Sequence, residues 1–366
     1  MFAIILITVT TLMQAYVLLR AASVPFIRRH LSRQALLLAA VTTWGIAAGG
    51  FTFGHHGTGT IARWAEFWGM NWMAALFLAF AALLIVDLLT LFGLILRQPA
   101  PRLRGWALTV AAVLSLLALA QGMRPPVVSD HEVPLSGLPA ALDGTVLAAV
   151  SDLHLGNLIG RDWLARRLDQ IETLEPDMIV LLGDIFEGHG SESDDLVALF
   201  KGLAPPLGVW AVTGNHEFYS PGNSSIRKME QSGFRILRDQ WAEAAPGLIL
   251  AGVDDLNIHR RRNTGGDPVT RALSGRPLGA TVFLSHTPRE YEKAAGLDTG
   301  LMLSGHTHGG QIWPFNFLMK RFYPKLAGRY QVNDMVLIVG RGTGTWGPRM
   351  RLWHPGEILR ITLRSK

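Results

Sequence analysis

The stretch Ser304-Gly305-His306-Thr307-His308-Gly309-Gly310-Gln311, directly after the apolar run Leu301-Met302-Leu303, decides how this chain is read. Two histidines two positions apart on extended backbone point to one side, and the glycines around them admit close approach of backbone and ligand. Working outward, the same arrangement of apolar run and polar donors recurs. Val146–Ser151 is followed by Asp152 and His154, Met178–Leu182 by Gly183-Asp184, Val209–Thr213 by Gly214-Asn215-His216-Glu217, and Thr281–Leu284 by Ser285-His286. Further strands are expected at Leu248–Val253, Met335–Val339 and Ile358–Leu363, with helices over Trp163–Thr173, Asp194–Lys201, Ser224–Gln231 and Pro288–Ala295. This alternation predicts an α/β domain over residues 145–366. Ligands in such domains lie beyond the carboxyl ends of strands, so donors far apart in sequence can meet in one site.

Read as ligands, these side chains are all oxygen and nitrogen donors, too many for one tetrahedral site and enough for two divalent ions. The chain has 0 cysteines, which excludes thiolate ligation, iron–sulfur clusters, disulfides and a cysteine nucleophile. Two ions about 3.5–4 Å apart suit phosphoryl oxygens and acidify a water, and a shared carboxylate offsets their mutual repulsion. Asp-x-His or Gly-Asp alone would be an ordinary turn. The ordered series is what carries the chemistry.

That series, Asp152-x-His154, Gly183-Asp184, Gly214-Asn215-His216-Glu217, Ser285-His286 and Gly305-His306-x-His308, resembles the calcineurin-like metallophosphoesterase superfamily. The fuller blocks Ser304–Gln311 and Val339-Gly340-Arg341-Gly342-Thr343-Gly344, with Pro348-Arg349 and Pro355-Gly356-Glu357-Ile358, are similar to its membrane-associated branch, transmembrane proteins with a metallophosphoesterase domain. The resemblance implies two packed mixed β-sheets flanked by helices. It implies a first metal on Asp152, His154 and His308, a second on Asn215, His286 and His306, and Asp184 as the bridge. It further implies that His216 faces the substrate, steadies the phosphoryl oxygens and protonates the leaving alkoxide. Glu217 is the candidate carboxylate partner of His216, at a place where the superfamily more often has Asp. Glu187, where Asp is usual, is expected no closer than the outer ligand shell. Manganese is the expected metal pair, and Fe²⁺, Zn²⁺ or Co²⁺ accept the same donors.

The rest of the chain is of another kind. Of 366 residues, 49% are apolar and only 17% charged, with mean hydropathy +0.25, too little charge to clothe a soluble surface of this size. Stretches almost without charge run over Phe2–Leu19, Ala35–Phe53, Asn71–Leu96 and Trp106–Ala120, the last marginal for a hydrocarbon core of about 30 Å. Residues 1–123 are therefore expected to form four transmembrane helices, and 124–144 a polar linker. No Lys or Arg precedes the first apolar run, so it is read as a retained span rather than a secretory signal. Arg20, Arg28, Arg29 and Arg33 lie between the first two stretches, and Arg97, Arg102 and Arg104 between the last two. The positive-inside rule makes those loops cytoplasmic and puts the catalytic domain on the extracytoplasmic side of the cell membrane. Asp87 is the one ionisable group deep in an apolar stretch.

The net charge of +6 is absorbed by these loops, and no nucleic-acid partner is expected. The bilayer is the expected partner, with a phosphorylated, lipid-linked molecule as the candidate substrate. Gln311–Tyr323 mixes aromatics with Lys320 and Arg321, as a segment docking an amphiphile or as a loop packing its rings into the core. Arg260–Arg262 is expected in a solvated loop or on a second anionic group. Rival functions remain open: a phosphodiesterase for soluble nucleotides, a metal-binding membrane scaffold or sensor without turnover, and transport.

Overall fold

The computed structural model describes residues 2–187, 194–263 and 265–366, arranged as two compact units. The first comprises residues 1–123 together with Gly347–Trp353. Its helices are α1 (Phe2–Ala21), α2 (Pro25–His30), α3 (Arg33–Gly49), α4 (Gly59–Leu89) and α5 (Ala100–Gly122). Four are long and apolar enough to cross a membrane, the α3 span continuing through a π-turn to Gly54.

The third span starts at Gly59 rather than Asn71 and stops at Leu89 rather than Leu96. The early start is possible because Glu66, inside the added turns, is buried and paired with His55 at 2.7 Å. At the other end, Thr90 accepts a hydrogen bond from the Gly93 amide, and Leu91, Phe92 and Gly93 have positive φ, so the chain turns there. The marginal fourth stretch gains a full turn at its start, where Pro101 suits the first turn of α5. Asp87 is fully buried near the end of α4. Arg104 Nε (2.9 Å), Arg20 Nε (2.6 Å) and the Tyr16 hydroxyl (2.6 Å) all reach its carboxylate. The intramembrane acid thus ties α1, α4 and α5 together as a buried, paired charge.

The second unit comprises Arg124–Trp346 and His354–Lys366. Its strands are β1 (Val127–Leu135), β2 (Val146–Val150), β3 (Met178–Leu181), β4 (Val209–Ala211), β5 (Arg235–Ile236), β6 (Gln240–Ala245), β7 (Leu248–Gly252), β8 (Ala280–Leu284), β9 (Leu301–Ser304), β10 (Gly328–Val332), β11 (Met335–Val339) and β12 (Glu357–Ser365). They form two six-stranded mixed sheets, β1-β12-β2-β3-β4-β5 and β10-β11-β9-β8-β7-β6. Its helices are α6 (Arg161–Glu172), α7 (Asp194–Phe200), α8 (Ser224–Gln231), α9 (Leu256–Arg262), α10 (Pro268–Leu273), α11 (Tyr291–Gly296) and α12 (Phe315–Phe322).

The strands are apolar on both faces because both are covered. Leu147 and Ala149 of β2 join Val180, Leu250, Val282 and Leu303 in the core between the sheets. Their neighbours Ala148 and Val150 face outward with Ile179 and Ala211, against Leu164 and Leu168 of α6. On the other sheet, Phe283 and Met302 pack with Val269 of α10 and Ala294 of α11. The order helix, sheet, sheet, helix matches the expected architecture.

The expected linker 124–144 is corrected: nine of its residues form β1, parallel to β12 throughout. Polar residues typical of an exposed edge hid the strand, while Val133 and Leu135 anchor it in the core. Arg260–Arg262 is likewise not a loop but the last turn of α9, where cations complement the helix dipole.

Candidate binuclear metal centre

Strands β2, β3 and β4 of one sheet and β8 and β9 of the other deliver their carboxyl ends to one buried place. Each sequence-derived donor leaves from such an end. Several do so in the left-handed region: Asp152 (φ 53), His154 (48), Asp184 (51), His306 (70) and His308 (50). Non-glycine residues held there cost on the order of 1 kcal/mol or more each, and they persist where a surrounding lattice of bonds over-determines them.

Two imidazole pairs face each other across the site. His154 Nε2 is 3.1 Å from His308 Nε2, and His306 Nδ1 is 3.1 Å from His286 Nε2. Asp184 Oδ2 lies between the pairs, 3.1 Å from His286 Nε2 and 3.9 Å from His154 Nε2. Asp152 Oδ1 stands 3.3 Å from His308 Nε2 and is a buried acceptor with no hydrogen-bond donor. The Asn215 side chain gives its amide nitrogen to Tyr219 Oη at 3.1 Å, and its buried Oδ1 is also unpartnered. Unpaired buried acceptors beside facing imidazole nitrogens are costly, and divalent cations satisfy both at once. The geometric groupings Asp152, His154, His308 and Asp184, His286, His306 each bring their donor atoms within 4.8 Å of one another.

Outer contacts aim the rings. His286 Nδ1 meets the Leu182 carbonyl at 2.7 Å, and His154 Nδ1 meets Glu187 Oε2 at 2.7 Å, leaving Nε2 of each for the centre. Asp152 Oδ2 accepts the His306 amide at 3.0 Å, and Asp184 Oδ1 the His216 amide at 2.8 Å. Burial alone would lower the His154 pKa, but Glu187, then Asp184 and Asp152, raise it to about 9. Burial also opposes the charge on His286, yet Asp184 beside it holds that ring well above the usual imidazole range. His306, buried and next to cationic His286, is pushed down to about 3. Burial disfavours ionised Asp152 and Asp184, but the imidazolium groups around them win and keep both carboxyls below the usual range. Cations and protons are thus rivals for one set of atoms.

A profile of calcineurin-like phosphoesterases matches residues 145–310. An uncharacterized metallophosphoesterase of Aquifex aeolicus is 32% identical over 244 residues, covering 65% of this chain and 92% of that protein. This chain belongs to the calcineurin-like phosphoesterase family. Proteins described as transmembrane proteins with a metallophosphoesterase domain, from Danio rerio and Bos taurus, are 33% and 34% identical over 71% of the chain. The chain spans 62% of the length of each. With four apolar helices long enough to span, it is a membrane protein of the membrane-associated branch, and its His and Asp clusters mark divalent-metal binding.

The surroundings of His216, the expected acid, differ from expectation in one respect. Glu217 does not reach the His216 ring. Its carboxylate accepts from the backbone amides of Gly214 (2.7 Å), Ile185 (2.8 Å), Asp184 (2.9 Å) and Phe186 (3.3 Å). A Glu three residues after a glycine, at the mouth of a tight turn, finds unpaired amides closer than an imidazole. The His216 ring instead places Nδ1 3.0 Å from the Glu187 carbonyl and 3.7 Å from its Oε1, against the rings of His154 and Tyr219. Glu187, expected only in the outer shell, holds His154 and His216 together. Sequence reasoning also missed Asn257 and Tyr323. Tyr323 Oη is 2.9 Å from His306 Nε2, and Asn257 Nδ2 donates to Tyr323 Oη at 3.2 Å. Neither lies in a glycine-flanked block, so no local signal marked them.

Proposed function

We propose that this protein is a membrane-anchored, divalent-metal-dependent phosphoesterase that hydrolyses a phosphomonoester, phosphodiester or pyrophosphate of a lipid-linked substrate, with manganese as its working metal. The observation that carries the reading is the pair of facing imidazole couples with the Asp184 carboxylate between them. Asp152, His154 and His308 would hold one ion, Asn215, His286 and His306 the other, and Asp184 both. Bound divalent ions supply charge to the phosphoryl oxygens and an acidified water.

The chain's own residues do the rest. Glu187, through its carbonyl, fixes the His216 ring and leaves Nε2 as the atom that gives a proton to the departing alcohol oxygen. The deep burial of Asp184, His286 and Glu217 keeps bulk water from the electrostatic core and strengthens each charge interaction there. The pre-strained backbone at Asp152, His154, His306 and His308 sets the donors before substrate arrives.

The test is metal analysis and a hydrolysis screen on the detergent-purified full chain, with chromogenic phosphodiesters and lipid phosphates in Mn²⁺. Asp184→Asn should lose bound metal and turnover together. His216→Ala should keep its metal and lose about 10²–10⁴ in rate. Metal content unchanged in the first variant, or full activity in the second, would overturn these roles.

A further inference from the structure

Helix α12 begins four residues after Gly310-Gln311 and carries Phe317, Leu318 and Phe322, which are 65%, 53% and 58% exposed. Three large exposed apolar side chains on an eight-residue helix concentrate apolar surface where single exposed residues would be ordinary. Lys320 and Arg321 lie in its last turn and are exposed beside the patch. Apolar rings flanked by flexible cations are the composition of a helix that lies in a lipid interface, rings among the acyl chains and ammonium and guanidinium among anionic headgroups.

The helix is also bolted to the metal centre. At its start, a Cβ on Gly310, which has φ +79, would collide with Asn316, so only glycine lets the His308 turn and α12 meet. At its end, Tyr323 caps the helix by donating its amide to the Met319 carbonyl (2.9 Å) and sets its hydroxyl 2.9 Å from His306 Nε2. Asn257 and Arg289 brace that hydroxyl and ring, Asn257 Oδ1 accepting from Arg289 Nε at 3.1 Å and the guanidinium lying 4.8 Å over the Tyr323 ring.

We propose that α12 is an interfacial docking helix whose partner is a bilayer surface bearing anionic headgroups, and that through Tyr323 it brings the second ligand cluster to that surface. The bilayer is favoured over a protein partner because the chain carries its own four spans and the charged residues of α12 itself are both cations. The docking claim does not depend on hydrolysis, and its test reads no activity.

The chain has 0 cysteines, so a single Leu318→Cys accepts one bimane label in the full protein. Leu278→Cys, at a fully exposed loop position in the same unit, is the control. In vesicles of phosphatidylcholine with about one third phosphatidylglycerol, the label at 318 should be quenched by shallow doxyl-lipids and shielded from iodide, and the label at 278 the reverse. Replacing phosphatidylglycerol by phosphatidylcholine, or Lys320→Glu with Arg321→Glu, should lower lipid quenching at 318 at least twofold. Iodide quenching at 318 equal to that at 278 would overturn the proposal. So would shielding of 318 from both quenchers, which would indicate a protein contact. Failure of the hydrolysis screen with lipid quenching intact would remove the enzymatic reading and leave the docking surface.

Discussion

At the scale of single residues, Glu217 shows how a functional expectation and a structural role can share one position. Its buried carboxylate gathers four backbone amides from the turns after β3 and β4, so it builds the platform on which Asp184 and Asn215 stand. Glu217→Ala strands those donors, and a buried unsatisfied amide costs about 1–3 kcal/mol. The variant should unfold at clearly lower temperature in detergent even without metal. A Tm equal to that of the unaltered protein would return Glu217 to a purely catalytic role. The histidines set a pH dependence. His154, raised to about 9 when no cation is bound, is protonated at pH 7 and must release that proton to ligate. Mn²⁺ uptake in weak buffer should therefore acidify the solution at pH 7, and affinity should rise as pH is brought up to about 9. The same shift means that His154 protonation steadies the metal-free fold fully below the ordinary imidazole value and loses that effect as pH rises through about 9. Uptake without proton release at pH 7 would contradict it. The seven candidate donors could be picked out because each follows a strand end and several lie beside glycine. Tyr323 and Asn257 were not, because their place beside His306 depends on α9 and α12 crossing in space.

At the scale of elements, the turn after β4 is where sequence and geometry agree most tightly. A Cβ on Gly214 would collide with Asp184 Oδ1 and come within 2.5 Å of the Asp184 amide. Backbone cannot yield as a side-chain tip does, so Gly214→Ala should displace the Asp184 carboxylate and lower metal content by half or more while the secondary structure by circular dichroism is kept. Full metal occupancy would show that the turn relaxes. The parallel strands β2, β3, β8 and β9 could be read from the chain because unbroken apolar runs mark strands covered on both faces. The edge strands β1, β6 and β10 mix charged and apolar residues, and their pairing is dictated by neighbours rather than by local pattern. The helix α9 escaped for a related reason: its start is an Asp255 cap onto the Ile258 amide, while its arginines read as a solvated run.

At the scale of the whole molecule, the division into an apolar helical part and an α/β part was visible from charge density alone. The sidedness rests on arginine in two loops. A reporter fused after Lys366 that is active only outside the cytoplasm should give signal, and Arg28→Glu with Arg29→Glu should weaken it. Strong cytoplasmic signal would instead direct the substrate search to intracellular phospholipid precursors. Residues Gly347–Trp353 belong with the helices, where the Arg351 amide bonds the Ala118 carbonyl at 2.9 Å and the Trp353 amide the Gln121 side chain at 3.0 Å. A fragment cut to begin at Arg124 would carry this segment with the acceptors of the Arg351 and Trp353 amides gone. Shearing away the anchor is therefore an amputation through living tissue, and the remainder need not behave as the intact protein does.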